Sequence, residues 1–166
     1  MAAALALCAP ASRAEDALPQ PWRPGRPVPP LDLPGHGGPG LRLTEARGQA
    51  VLLNFWASWC EPCRTEMPSL ELMAERHARD GLRVWTVNHK ETAATIDRFL
   101  ALMPIGLPIL RDADGAASRA WGVRMFPTTV FIGRDGQPLC TWTGEVDWQA
   151  PAARQQVQQL LRHGRL

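Results

Sequence analysis

The stretch Trp59-Cys60-Glu61-Pro62-Cys63 limits what this chain can fold into more than any other. An apolar run over 51–56 precedes it, and a helix-like pattern over 64–79 follows it. Residues three apart share one face of a helix, so the two cysteines are predicted to approach within disulfide reach, about 5.5 Å between Cα atoms. The loop that this bond closes is very short, so the bond adds little stability and opens readily. The pattern therefore indicates a redox-active pair more than a structural crosslink.

The spacing also assigns chemical tasks to individual residues. Cys60 is the predicted nucleophile, because the free N–H groups and the dipole of a helix N-terminus favour its thiolate. Cys63 lies one turn further in and would resolve the mixed disulfide. Glu66 shares the helix face of Cys63 and is the candidate to take its proton. Glu61 and Pro62 weaken thiolate stabilisation through an adjacent carboxylate and a missing backbone donor, which favours a reductant over an oxidant.

The remaining cysteine and histidine residues give no second site. A zinc site needs four ligands, and no other Cys or His pair has a matching spacing, so no metal is predicted. Cys140 has no partner by spacing and is predicted to be a small buried residue. The histidines are scattered along the sequence and receive no role.

Length and composition fit one soluble globular domain with tails. The chain has 166 residues, with 45% hydrophobic and 20% charged residues. Its formal net charge is only +2, which gives no reason to expect a nucleic-acid partner. No apolar run approaches the roughly 18 residues that a membrane span requires.

Three regions are predicted along the chain. Residues 1–14 read as a secretory signal peptide that is incomplete at its front, because small apolar residues lead to a cleavage-like site but no positive region precedes them. Cys8 would be removed with it, and lipid attachment at Cys8 stays open. Residues 15–40 are rich in proline and glycine and read as a linker, with a candidate edge strand over 31–33. Residues 41–166 form the predicted domain.

The hydrophobic pattern within this domain predicts alternating strands and helices. Strands are predicted over 51–56, 82–88, 107–110, 128–132 and 138–143, and helices over 60–79, 92–102, 115–121 and 151–161. This order predicts an α/β fold with one mixed central β-sheet and helices on both faces.

Four stretches together resemble the thioredoxin superfamily over about residues 40–163. They cover 54–63, 64–68, 126–129 and 133–136. Within the superfamily, the chain resembles the TlpA/ResA-like exported thiol–disulfide oxidoreductases. The resemblance implies a thioredoxin-like fold in which Pro127 is cis and faces the cysteines, so that its loop presents an extended backbone edge to a client strand. Trp59 and Phe126 would line the apolar lip of that substrate-binding site.

The same resemblance implies a function. The expected protein is an exported protein-disulfide reductase that uses the Cys60/Cys63 dithiol without a cofactor. Its expected location is the periplasm or another extracytoplasmic compartment, with or without a membrane tether. A membrane thiol-electron transporter would supply electrons to a disulfide-containing client, for example apocytochrome c in cytochrome c biogenesis. Many thioredoxins carry an aspartate base on the preceding strand. Asn54 occupies that position here and cannot act as a base, so proton handling is assigned to Glu66.

Two other classes of function stay open from the residues alone. One is a thiol peroxidase of peroxiredoxin type, although the Pro-x-x-x-Thr-x-x-Cys pattern is absent. The other is a copper-carrying thioredoxin-like binding module that uses Cys60 and Cys63 as soft ligands, although no third ligand is evident. Peroxide consumption would support the first, and tight Cu(I) binding without disulfide reduction would support the second.

Overall fold

The computed structural model describes residues 18–163. The predicted signal peptide over residues 1–14 and the fate of Cys8 lie outside this range. Across the described part, no helix combines the length and apolar character needed to cross a membrane.

Short strands and helices alternate from residue 20 onward. In chain order they are β1 (Gln20–Pro21), β2 (Asp32–Leu33), β3 (Leu41–Arg42), a 3-10 helix (Leu43–Ala46), β4 (Ala50–Trp56), α1 (Glu61–His77), β5 (Leu82–His89), α2 (Ala93–Leu102), β6 (Ile109–Asp112), α3 (Ala116–Ala120), β7 (Thr128–Ile132), β8 (Pro138–Thr143) and α4 (Pro151–His163). The strand predicted over 107–110 is shifted by two residues, to Ile109–Asp112. Pro108 has no N–H to donate, so it lies just before the strand.

The main sheet is mixed, as the element order predicts. Its strand order is β1-β8-β7-β4-β5-β6, while β2 and β3 form a separate pair. β4, β5 and β6 run parallel, β7 lies antiparallel to β4, and β8 lies antiparallel to β7. The structure therefore confirms the predicted α/β class with one mixed central sheet.

Two hydrophobic clusters cover the two faces of this sheet. Successive β4 residues alternate between the clusters, because side chains on a strand point to opposite faces. Leu52 and Trp56 join one cluster with residues of α1, α2 and α4, whereas Leu53 and Phe55 join the other with residues of the 3-10 helix and α3. β4 is buried along its whole length, which explains its uninterrupted apolar sequence.

The proline- and glycine-rich stretch lies against the domain instead of extending away as a spacer. β1 pairs with β8, and the rings of Trp22 and Trp121 lie 5.8 Å apart. Leu31 is 4% exposed, and the carbonyl of Pro34 accepts an N–H from β6 at 2.9 Å. Isolated apolar side chains and two-residue pairings hold this stretch, so no periodic pattern reveals it in the sequence. Residues 20–40 are therefore part of the folded unit, which differs from the expected linker.

One edge of the main sheet gathers the loops that carry the chemistry. Phe55 of β4 lies opposite Thr128 of β7, and Trp56 lies opposite Asn88 of β5. The carboxyl ends of β4, β5 and β6 therefore meet the amino end of β7. The cysteines follow β4 directly, so the loops after β5 and before β7 are their neighbours.

Candidate active site

Cys60 and Cys63 lie at the amino end of α1, where the chain leaves β4. Cys60 is the N-cap of the helix, and its Sγ accepts the N–H of Cys63 at 3.2 Å. The two sulfurs are bonded to each other, with the Cα atoms 5.3 Å apart. Cys60 is 4% exposed and Cys63 is 1% exposed. The pair lies at the positive end of the α1 dipole, which favours a thiolate once the bond opens.

The two residues between the cysteines form the first turn of α1. Glu61 is exposed, so its carboxylate lies in solvent near the sulfur pair. Pro62 is half-buried and occupies a position where a helical N–H would have no partner. Both residues therefore lie beside the sulfur pair, and their tuning role stays a prediction.

The loop before β7 contacts the cysteine region through two aromatic rings. Trp59 meets Phe126 edge-on, with ring centroids 5.8 Å apart. The Phe126–Pro127 peptide bond is cis, as the resemblance implies. Because Trp59 immediately precedes Cys60, the geometry brings the three predicted substrate-binding residues together beside Cys60.

The surface around this aromatic contact is apolar and open. Trp59 is 66% exposed and Met125 is 55% exposed, while Phe126 is half-buried. Pro127 is buried, and its carbonyl accepts the N–H of Gly144 at 2.9 Å. Within residues 18–163, the backbone N–H and C=O of Phe126 form no hydrogen bond with another backbone group. Phe126, more than Pro127, therefore offers the backbone edge to which an extended client segment can pair.

Glu66 is buried, although a carboxylate on a helix usually faces solvent. Its oxygens accept hydrogen bonds from the Trp148 indole N–H at 2.7 Å, the Val146 backbone N–H at 3.2 Å and the Asn54 amide at 3.2 Å. Burial raises the pKa of Glu66 to about 8; the bonds from Trp148 and Val146 oppose this rise, and the nearby Glu145 charge adds to it. The carboxyl is therefore mostly neutral near pH 7 and changes charge just above it.

Asn54 connects Glu66 to the neighbouring strand. Its amide nitrogen also donates to the hydroxyl of Thr129 at 2.9 Å. Asn54 is 1% exposed, and its Oδ1 lacks a partner among the described residues. Sequence reasoning identified Glu66 and Asn54 from their positions. It missed Trp148 and Val146 as partners, because nothing in local spacing links them to α1.

The carboxyl end of β5 and the loop after it connect the turn before the cysteines to the cis-proline loop. The carboxylate of Glu91 accepts the Ser58 N–H at 2.8 Å, the Ser58 hydroxyl, and the Asn88 amide at 2.7 Å. On the other side, the His89 ring packs against Phe126 with centroids 4.9 Å apart. No local pattern signals these contacts, since an isolated histidine at a strand end or an isolated glutamate in a loop is usually a surface residue.

His89 is held from behind by a buried polar group. Its Nδ1 lies 2.9 Å from the Ser118 hydroxyl and 3.8 Å from an Asp112 oxygen. Burial lowers the pKa of His89; the Asp112 charge opposes this effect, while Lys90 and Arg119 reinforce it. The imidazole therefore stays neutral over more of the acidic range than a free histidine does.

The third cysteine in the described range is separate from this site. Cys140 is free and fully buried on β8, and burial raises the pKa of its thiol to about 12. This agrees with the prediction of a small buried residue. Between residues 18 and 163, no three His, Cys, Asp or Glu side chains are grouped so that they could hold a metal ion.

Comparison with known proteins gives consistent matches. A sequence profile described as the AhpC/TSA family matches residues 24–137. The thiol-disulfide oxidoreductase ResA of Halalkalibacterium halodurans is 34% identical over 107 residues, which are 64% of this chain and 61% of that protein. The matched region thus spans only about three fifths of that relative's length.

Solved structures match over more of the chain. A protein of Chlorobium tepidum, described provisionally as the thiol:disulfide interchange protein DsbE, superposes with a TM-score of 0.73 at 33% identity, over 80% of this chain and 94% of that one. The exposed lipoprotein thioredoxin Etrx1 of Streptococcus pneumoniae strain TIGR4 gives a TM-score of 0.68 at 29% identity, over 80% and 98% of the two chains. These matches confirm the ResA-like, thioredoxin-like resemblance that the sequence indicates.

Proposed function

Because this chain belongs to the AhpC/TSA family, whose fold here presents a cysteine pair to an open apolar surface, we propose that it is a thiol–disulfide oxidoreductase. The observation that carries the proposal is the Cys60–Cys63 disulfide at the amino end of α1, in contact through Trp59 with the Phe126–Pro127 loop. A disulfide that closes a loop of four residues contributes little to the free energy of folding. Its role is therefore to open and close during the reaction.

The proposed reaction begins with the pair reduced. The Cys60 thiolate attacks a client disulfide, a mixed disulfide forms, and one client sulfur leaves as a thiolate that takes a proton. The Cys63 thiol then loses its proton and attacks the Cys60 sulfur. This step closes the Cys60–Cys63 bond and releases the second client sulfur. The client gains two electrons and, once both of its thiolates are protonated, two protons. The enzyme loses two electrons and two thiol protons, one when the Cys60 thiolate forms and one from Cys63.

Glu66 is the proposed base of the second step. It lies one helical turn after Cys63 and is buried with its pKa raised to about 8. A base titrating near the working pH can accept the proton of a thiol and return it in the reverse direction. Trp148, Val146 and Asn54 hold the carboxyl in place, so they act as positioning residues for this transfer.

Reduction of the client is the proposed direction in the cell. The exposed carboxylate of Glu61 disfavours a negative charge on Cys60, and Pro62 contributes no N–H to stabilise it. A less stabilised thiolate leaves the dithiol form with more reducing power. The proposed electron source is a membrane thiol-electron transporter.

The proposed location is outside the cytoplasm. Support comes from the signal-like residues 1–14 and from the relatives, one of which is described as an exposed lipoprotein thioredoxin. A lipid on Cys8 would tether the protein to a membrane. The proposed client is a protein disulfide, with the Cys-x-x-Cys-His site of apocytochrome c as the example that the ResA-like resemblance suggests.

Trapping the mixed disulfide tests this function directly. Cys63→Ala removes the resolving thiol, so a client attacked by Cys60 stays covalently bound and is identified by mass spectrometry. The matched control carries Cys60→Ser as well and should trap nothing. Recovery of client proteins that are released by dithiothreitol supports the proposal. If the single variant captures no protein, or if the wild-type protein consumes peroxide instead, the proposal is wrong.

A further inference from the structure

Two exposed cations converge beside the cis-proline loop, above Gly115. A Cβ atom placed on Gly115 would lie 2.6 Å from Lys90 Cε, 2.9 Å from His89 Cε1 and 3.2 Å from Arg119 Nη1. Lys90 and Arg119 are both exposed, and Lys90 Cε and Arg119 Nη1 both lie close to this point. Gly115 has a φ of 72° and is itself buried, and the absence of a side chain lets those of Lys90 and Arg119 lie over its backbone.

The nearby carboxylates are engaged elsewhere. Asp112 is 1% exposed, and its oxygens accept the N–H groups of Ala117 and Ser118 at 3.0 and 2.8 Å. Asp114 meets Arg119 through its main-chain carbonyl at 2.9 Å, while one oxygen of its carboxylate accepts a backbone N–H of α3.

The two cations also lack an ion-pair partner. Among the ion pairs formed within residues 18–163, none includes Lys90 or Arg119. Like charges held near a common point repel each other, so an incoming carboxylate gains from both.

The backbone fixes Lys90 at this place. Its φ is 57°, and no other non-glycine residue in the described part of the chain has a positive φ. Lysine rarely adopts this conformation, and the chain holds it by a 2.9 Å bond from the Lys90 N–H to the Asp112 carbonyl. Its neighbours are fixed too, since His89 packs on Phe126 and Glu91 binds Ser58. The ammonium is thus carried by a loop that touches both sides of the site.

We propose that Lys90 and Arg119 form a carboxylate-binding site for the client, so that the protein prefers disulfides with an acidic residue close to the attacked cysteine. This inference rests on the proposed function and names the client class: a peptide segment that pairs along the Phe126 edge and places an Asp or Glu against the exposed Lys90 and Arg119 side chains that cover Gly115. The apolar lip at Trp59 and Met125 contacts the segment whatever its charge. The cation pair, in contrast, favours a segment that carries a negative charge.

Three synthetic peptides test the proposal. Each has one disulfide and they differ at one position beside it, which is Glu, Gln or Lys. The reduced full-length protein is mixed with each peptide, and the single-turnover rate is followed by tryptophan fluorescence. At low salt, the Glu peptide should react about threefold to fivefold faster than the Gln peptide, and the Lys peptide more slowly than both. Added salt should reduce the differences in rate between the three peptides, because it screens the charges.

Variants locate the effect. Lys90→Gly removes the charge with a residue that favours a positive φ, and Arg119→Gln removes the second charge. Each should reduce the preference for the Glu peptide, while Lys90→Arg should retain it. Arg83→Gln is the matched control, because Arg83 is exposed on β5 at the far end of the strand from His89.

The outcomes separate this proposal from the function on which it rests. Equal rates for the three peptides, or a preference that survives in the Lys90→Gly, Arg119→Gln double variant, would overturn the carboxylate site alone. If the protein reduces none of the peptides, the proposed function fails and the carboxylate site fails with it.

Discussion

The indole N–H of Trp148 lies 2.7 Å from Oε1 of Glu66, although 82 residues separate the two in the chain. This contact ties the loop before α4 to the helix that carries the cysteines. Trp148 is fully buried and packs edge-on against Trp142, with ring centroids 5.2 Å apart. A core residue therefore also holds the acid on which the resolving step is proposed to depend.

The buried carboxyl of Glu66 should make the protein less stable as pH rises. Below pH 4.5 both states carry the proton. Between pH 4.5 and about 8 the unfolded chain releases it but the folded chain retains it, so the free energy of unfolding falls. The limiting slope is about 1.4 kcal/mol per pH unit, and the fall ends above pH 8. Urea unfolding of the oxidised protein at a series of pH values measures it.

Glu66→Gln should remove that part of the pH dependence, because a neutral amide does not titrate. The matched control is Glu75→Gln, since Glu75 is exposed on the same helix. The control should retain the wild-type slope. A Glu66→Gln protein whose stability still falls with pH as steeply as the wild type would contradict a buried Glu66 with a raised pKa.

Trp148→Phe should raise the pKa of Glu66 further, because the lost hydrogen bond is one that lowers it. We expect the pH profile of disulfide closure, followed as the release of client from the mixed disulfide, to shift to higher pH. Stability should fall by about 1–3 kcal/mol, since a buried group loses its partner. Trp142→Phe is the control. The Trp142 indole donates at 3.4 Å to Gln156, so this change should leave the profile in place.

Trp59→Ala should lower kcat/KM for protein disulfides without changing stability. The side chain is 66% exposed, so its removal costs little folding energy, but it takes away the apolar lip beside Cys60. A decrease of about tenfold would match the loss of one aromatic anchor. Leu102→Ala is the control, because Leu102 is 89% exposed on α2. If both variants keep full activity, Trp59 does not bind clients.

Cys140 should stay unmodified when the reduced native protein is treated with iodoacetamide at pH 8. The thiol is fully buried and its pKa is raised to about 12, so almost no thiolate is present to react. Peptide mass spectrometry should find Cys60 labelled and Cys140 labelled only after denaturation. Equal labelling of both cysteines in the native protein would show that Cys140 is accessible.

The elements beside the cysteines could be predicted from the sequence because their signals are local. β4 reads as a continuous apolar run, and the spacing of Cys60, Cys63 and Glu66 places them on one helix face. The position of Trp148 could not be predicted, since its contact depends on how α4 packs back against α1. The packing of residues 20–40 against the domain could not be predicted, because prolines remove periodicity while single side chains such as Leu31 are still buried.

The measurement that tests the central claim most directly is a stoichiometric exchange between the reduced protein and a protein disulfide such as that of insulin. We predict one client disulfide opened for each Cys60–Cys63 bond formed, and no reaction with Cys60→Ser. With Cys63→Ala, the mass should rise by that of one attached client chain. A protein that opens no disulfide, or that stays active after Cys60→Ser, would contradict this account.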